Sequence, residues 1–186
     1  MDVAWAAAGG PDNFHPSPSE GTTVKEPDSH EGYRRLDHRP RLDESLYGYA
    51  GYPVHVTICA HQRRPIFAKH PEIAQLVMDK FMEAAAAMTI KVYCLCVMPD
   101  HLHAVVMVEQ GGRNLAALVR GVKTRVTLAT RRTKVGPLWH ASFHDHIVRD
   151  NEGLRATCTY VVNNPVRKGL VRKWEDYPFA WLSDDA

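Results

Sequence analysis

The stretch VMPDHLHAVVMVE, residues 97–109, sets His101 and His103 two positions apart inside an apolar run. Side chains alternate along a strand, so both imidazoles face one way and Leu102 the other. Neutral imidazoles placed like this can share one metal ion, with the remaining coordination positions filled from elsewhere. The plainer alternative is a pair of strand histidines satisfied by backbone or water. Cys94 and Cys96 offer a rival donor set. With a two-residue turn at Pro99-Asp100, Cys96 falls opposite His103, giving a Cys/His cluster of the kind that holds zinc. Buried free cysteines are the simpler reading of that pair. Further along, Tyr160 and Asn164 are four residues apart, one helical turn. A boundary tyrosine usually packs its ring and wets its hydroxyl, and Pro165 biases Asn164 away from helical dihedrals.

Elements of three kinds must position these groups. YPVHVTICAH (52–61) is β-branched and alternating, hence a strand, with structure expected to begin near Tyr49. PEIAQLVMDKFMEAAAAM (71–88) has apolar residues at 73, 76, 77, 81, 84 and 88, a helical period with Pro71 near its start. TIKVYCLCVM and HLHAVVMVE read as two strands joined at Pro99-Asp100. RNLAALVRGVKTRVTLATRR is helical, with Leu115, Leu118, Val122 and Val126 on one side and Arg120, Lys123, Thr127 and Arg131 on another. PLWHASFHDHIVRD reads as a strand, and NEGLRATCTYVVNNP as a helix capped near Asp150 or Asn151 and stopped at Pro165. On that helix Leu154, Cys158, Val161 and Val162 form the apolar face, with Tyr160 on its flank. The order β-α-β-β-α-β-α predicts an α+β fold, a ferredoxin-like antiparallel sheet with helices packed on it.

Residues 1–48 differ. They are rich in Pro, Gly, Ser and mixed charge without apolar periodicity, so they are expected to be disordered or extended. The folded domain is expected over 49–181, with 182–186 as a short tail. In a chain of 186 residues, 45% hydrophobic, this leaves room for one domain with a real core. No apolar stretch is long enough to span a bilayer, no signal-peptide layout is present, and no membrane partner is expected. Four cysteines without a disulfide-framework spacing suggest a reducing cytoplasm. The net charge of +2 conceals an asymmetry: residues 113–173 hold 13 Lys/Arg against 3 Asp/Glu, and the remainder holds 10 against 18. Such a basic half suits a polyanion, most simply nucleic acid, or else a solvated charged face.

VMPDHLHAVV, then LWHASFHDHIVRD, then YVVNNPVRKGLV together resemble the single-tyrosine HUH transposases, and within them the REP-associated tyrosine transposases. YPVHVTICAHQRRPIFA is similar to that family's first strand and turn, so the resemblance runs from about Tyr49 to Trp181. It implies a ferredoxin-like HUH-nuclease fold with the histidines on a central strand. It also implies that His101 and His103 hold Mg²⁺ or Mn²⁺, that Asn164 completes the metal site, and that Tyr160 is the nucleophile. The implied reaction is cleavage and rejoining of single-stranded DNA, beside a hairpin, through a covalent 5′-phosphotyrosine. His144 and His146 match a family strand motif, with a supporting role or replacement of Asn164 as ligand. Arg120, Lys123, Arg131, Arg149, Arg167 and Lys168 suit phosphate contacts, and Trp139 and Phe143 suit base stacking or core packing. The enzyme would act as a monomer or homodimer. The alternatives are a non-catalytic or domesticated hairpin-binding protein on the same fold, and a zinc-stabilised interaction module.

Overall fold

In the computed structural model the described residues are 51–149 and 151–186. The segment 1–48, the start expected at Tyr49, and a cap at Asp150 or at the Asn151 side chain lie outside them. The elements run β1 (Pro53–Cys59), α1 (Ile66–Lys69), α2 (Pro71–Ala87), β2 (Ile90–Met98), β3 (His101–Val108), α3 (Leu115–Thr130), β4 (His144–Ile147), α4 (Asn151–Val162), α5 (Asn164–Arg167) and β5 (Ala180–Leu182), with single 3₁₀ turns at His61–Arg63 and Trp174–Asp176. The strands form one sheet in the order β4-β1-β3-β2-β5, every neighbouring pair antiparallel. The first four strands and their two crossover helices make the expected α+β ferredoxin-like arrangement, and β5 extends it beside β2.

The hydrophobic pattern explains the layering. Leu115, Leu118, Val122 and Val126 of α3 are all buried, and the helix starts where Asn114 Oδ1 accepts the Ala117 N–H at 2.8 Å. In α2, Ile73, Val77, Phe81 and Ala84 are buried along the same kind of stripe. α2 packs on β2 and on α3, while α4 packs on β2, β3 and β5. β2 is therefore covered on both faces, which is why Val92–Met98 is buried without interruption. A bulge between Val92 and Cys94 shifts the β2–β3 register, after which Cys96 faces His103 and Met98 faces His101.

Three boundaries depart from the sequence expectation. The strand expected over 137–150 contracts to His144–Ile147, preceded only by a single bridge between Ala60 and Trp139. The intervening carbonyls of His140, Ala141 and Ser142 turn to the Lys123 ammonium instead of to a neighbouring strand. Pro165 does not end the helical region: α4 stops at Val162 and Pro165 sits in the first turn of α5, where its missing N–H costs nothing. The expected tail is tied down, since Leu182 pairs with Cys94, the Ser183 N–H donates to Tyr93 O, and Lys91 meets Asp185 at 2.9 Å. No helix among the described residues is long and apolar enough to cross a membrane.

Candidate active site

β3 is the central strand, and the Pro99-Asp100 turn opens directly into it, so His101 is its first residue and His103 its third. Cross-strand pairing places Thr57 of β1 beside His103 and Cys59 beside His101. The two imidazoles meet edge to face, and their Nε2 atoms stand 3.0 Å apart. Each ring is held from its other side. Asp100 Oδ1 accepts from His101 Nδ1, which leaves the His101 Nε2 lone pair facing inward. His103 Nδ1 lies 3.0 Å from Thr57 Oγ1 and 3.1 Å from His55 Nε2. Arg63 reaches Asp100 Oδ2 at 3.6 Å from a turn in which Gln62 and Arg63 both adopt left-handed backbone, φ 55° and 53°. Two successive non-glycine residues in that region store strain, a feature that concentrates at functional sites.

Burial governs the electrostatics. His103 is 8% exposed, and burial, then the neighbouring His101 and His55, hold its pKa well below the ordinary histidine value. His55 is lowered to about 4 by burial and by His146 across the strand pair. For Asp100 burial works upward, but the His101 hydrogen bond and Arg63 prevail and keep its carboxyl below the usual range. Burial thus favours the neutral form of His55 and His103, the form in which an imidazole can act as a ligand, while Asp100 stays an ionised carboxylate.

The donor set fits a small divalent cation. Two nitrogens each about 2.1 Å from one ion at right angles stand about 3.0 Å apart, whereas a tetrahedral angle spreads them to about 3.4 Å. The same 3.0 Å spacing between the two Nε2 atoms accommodates one N–H···N hydrogen bond without an ion. The environment of the cysteines favours their reading as buried free thiols. Cys94 shares a hydrogen bond with Cys158 of α4, which together with burial pushes its thiol up, and Cys96 is pushed up to about 12 by burial. A zinc thiolate must be deprotonated, and Cys96 Sγ is directed at Met98 Sδ, 3.8 Å away. Among the described residues no group of three or more His, Cys, Asp or Glu surrounds a metal position.

The other expected residues are more dispersed. Tyr160 is 47% exposed on α4, and the Arg167 guanidinium covers its ring at 4.5 Å from the centroid. Asn164 is 8% exposed and uses Nδ2 to close the end of α4, donating to Tyr160 O at 3.0 Å and Val161 O at 3.2 Å. Only its Oδ1 is left to ligate a metal, and Tyr160 and Asn164 point into different environments. Neither makes a hydrogen bond or ring contact with the histidines among the described residues. His144 and His146 pair with Thr57 and His55, on the face of the sheet that carries His103. The Lys123 ammonium is engaged within the chain, donating to His140 O, Ala141 O and Ser142 O at 2.8, 3.3 and 2.9 Å. Arg120, Arg131, Arg149, Arg167 and Lys168 are exposed. Trp139 packs on Phe67, 5.6 Å between centroids, and Phe143 packs against the core, both of them half-buried. Sequence reasoning missed His55, Thr57, Asp100 and Arg63. The one available signal was that residues 55 and 57 share a face of β1; the pairing of that face with His103 requires the register.

A family profile described as "Transposase IS200 like" matches residues 49–164. The chain belongs to this family. Among curated proteins this IS200-like transposase is 25% identical over 102 residues to the "Putative REP-associated tyrosine transposase" of Haemophilus influenzae, covering 49% of this chain and 58% of the relative. It is 27% identical over 89 residues to the "REP-associated tyrosine transposase" of Escherichia coli, covering 48% of this chain and 52% of the relative. The chain therefore spans about half the length of the curated relatives it matches. A solved structure of a REP-associated tyrosine transposase bound to a REP hairpin shares the fold, with TM-score 0.60 at 19% identity, over 83% of this chain and 92% of that one.

Proposed function

We propose that this IS200-like transposase cleaves and rejoins single-stranded DNA beside a hairpin, with Tyr160 as nucleophile. The observation that carries the reading is the convergence of the His101 and His103 Nε2 atoms, 3.0 Å apart, at the start of the central strand. His101 and His103 would hold Mg²⁺ or Mn²⁺, with Asn164 Oδ1 as the candidate third protein donor. A bound cation supplies Lewis-acid polarisation of a phosphate oxygen. Mn²⁺ suits imidazole better than Mg²⁺ does, because imidazole is the softer ligand.

The Tyr160 hydroxyl would attack phosphorus in line, forming a 5′-phosphotyrosine and releasing a 3′-hydroxyl. The Arg167 guanidinium stacks on the Tyr160 ring, 4.5 Å from its centroid, and would hold the ring's direction during attack. The phosphotyrosine conserves the energy of the phosphodiester, so rejoining by a 3′-hydroxyl needs no nucleotide. Exposure of Tyr160 supports this role, since a bulky DNA strand must reach it. Hairpin DNA as partner is supported by the basic 113–173 region and by the hairpin held by the structural relative. Residues 49–181 would form the DNA-processing domain, with 1–48 appended to it. A non-catalytic binder would require loss of a site group, and His101, His103 and Tyr160 are all present. Incubation with a library of single-stranded hairpins and Mn²⁺ tests the proposal. A protein–DNA adduct that survives denaturing electrophoresis, mapped to Tyr160, is the expected result; a metal-dependent nick without adduct would overturn it.

A further inference from the structure

His103 can serve as a ligand through Nε2 only if its single ring proton sits on Nδ1. In a buried pocket that N–H needs an acceptor, or the proton moves to Nε2 and the lone pair is lost. Among the described residues two polar atoms lie within reach of Nδ1: Thr57 Oγ1 at 3.0 Å and His55 Nε2 at 3.1 Å. Thr57 is the cross-strand neighbour, and His55 stands two residues back on the same face of β1. The His55 ring lies 5.1 Å from the His103 ring at a tilt of 35°. Thr57 alone is an indifferent lock, because a hydroxyl donates as readily as it accepts and so serves either tautomer. A neutral His55 carrying its own proton on Nδ1 offers only a lone pair at Nε2.

We propose that His55, with its own proton on Nδ1, is a positioning residue that accepts from His103 Nδ1, holds His103 in the Nδ1–H tautomer and thereby presents Nε2 to the divalent cation. It does for His103 what Asp100 does for His101, so the two ligands are gripped from opposite sides, one by a carboxylate and one by a third imidazole. His55 is not itself a ligand of that ion, because it meets His103 on the Nδ1 edge while His101 meets it on the Nε2 edge. Partners in this position commonly change metal affinity by about 10–100-fold when removed.

This inference rests on the reading of His101 and His103 as a metal pair, and the experiment separates the two. Free Mn²⁺ is followed by electron paramagnetic resonance as it is titrated into the full chain without DNA, for the unaltered protein, His55→Phe, His55→Gln and His101→Ala. The melting temperature of each metal-free variant is measured alongside. His55→Phe keeps a ring but no acceptor, and is expected to weaken Mn²⁺ binding by about tenfold or more while the metal-free protein stays folded. His55→Gln restores an acceptor oxygen and most of the affinity. His55→Leu repeats the measurement with a smaller apolar side chain should the Phe variant not fold. Unchanged affinity in His55→Phe or His55→Leu, with binding lost in His101→Ala, overturns the role of His55 alone. Unchanged affinity in His101→Ala overturns the metal pair and this inference with it.

Discussion

Tyr160 has a ring stacked beneath a guanidinium and a hydroxyl that no described residue engages, so a change confined to the hydroxyl should be nearly silent in folding. Tyr160→Phe is expected to melt with the unaltered protein and to bind hairpin DNA and Mn²⁺, yet give no adduct on a denaturing gel. A retained DNA-linked band mapping to another residue would remove Tyr160 from the chemistry. His101→Ala leaves the nucleophile but deletes a ligand, so its lost cleavage should return in part at high Mn²⁺, where mass action offsets weakened affinity. The buried histidines also set a pH dependence in the metal-free protein. His55 titrates near 6.5 when unfolded and is lowered to about 4 in the fold, and His103 is lowered as well. Protons bind more readily to the unfolded chain, so this contribution is complete above about pH 6.5 and is lost as pH falls toward about 4. Thermal denaturation at pH 7.5 and pH 5 should show that decline, and His55→Gln should reduce it. A drop of equal size in the variant would mean that other groups carry the acid sensitivity.

At the scale of elements, two connections decide where the site's strands lie. The loop before β4 is gathered by Lys123 of α3 through three successive carbonyls. Hydrogen bonds from a charged donor are among the stronger ones, so Lys123→Met should cost about 1–3 kcal/mol, read in urea denaturation. The same variant should leave the salt dependence of DNA binding unaltered, whereas Arg120→Ala, on the exposed side of α3, should lower the slope by about one if it contacts a phosphate. A fall in slope for Lys123→Met would return its ammonium to the DNA surface. The second connection is the turn from α2 into β2, where Thr89 holds φ 55°. A β-branched residue is strained there, and glycine is the usual occupant after a helix end. Thr89→Gly is therefore expected to raise stability by about 0.5–1 kcal/mol, the relief of left-handed strain less glycine's entropy. Gly112 cannot be altered so freely, because a Cβ there would stand 2.5 Å from Thr89 O.

For the whole molecule, the composition of residues 1–48 gives too little apolar periodicity to add to the core, so a chain lacking them should fold by itself. Its melting temperature should match that of the full chain within a few degrees, and limited proteolysis of the full chain should converge on the same fragment. A truncated protein that aggregates or melts far lower would show that the segment supplies structure. The basic 113–173 region covers α3, β4, α4 and α5, so electrostatic attraction for a polyanion would come from the elements on the far side of the histidine hairpin in sequence.

The element order, the α+β fold and the inward faces of α2 and α3 were legible because alternation and helical period are local consequences of which residues avoid water. His101 and His103 were legible for the same reason, since a period of two fixes their common side without any partner. The family resemblance gave Tyr160 and Asn164 their expected roles, but α4 ends at Val162 and Asn164 opens α5, so helical period alone does not place them together. Tertiary structure decided what local pattern cannot express. Strand order and register bring His55 and Thr57 to the Nδ1 edge of His103 from 48 and 46 residues away. Three-dimensional packing turns Lys123 from a solvated cation into the clamp of a loop, and gives Pro165 the first turn of a new helix instead of the end of an old one. Period and propensity act over a few residues, whereas a hydrogen bond to a ligand's far edge depends on which distant strand lies beside it.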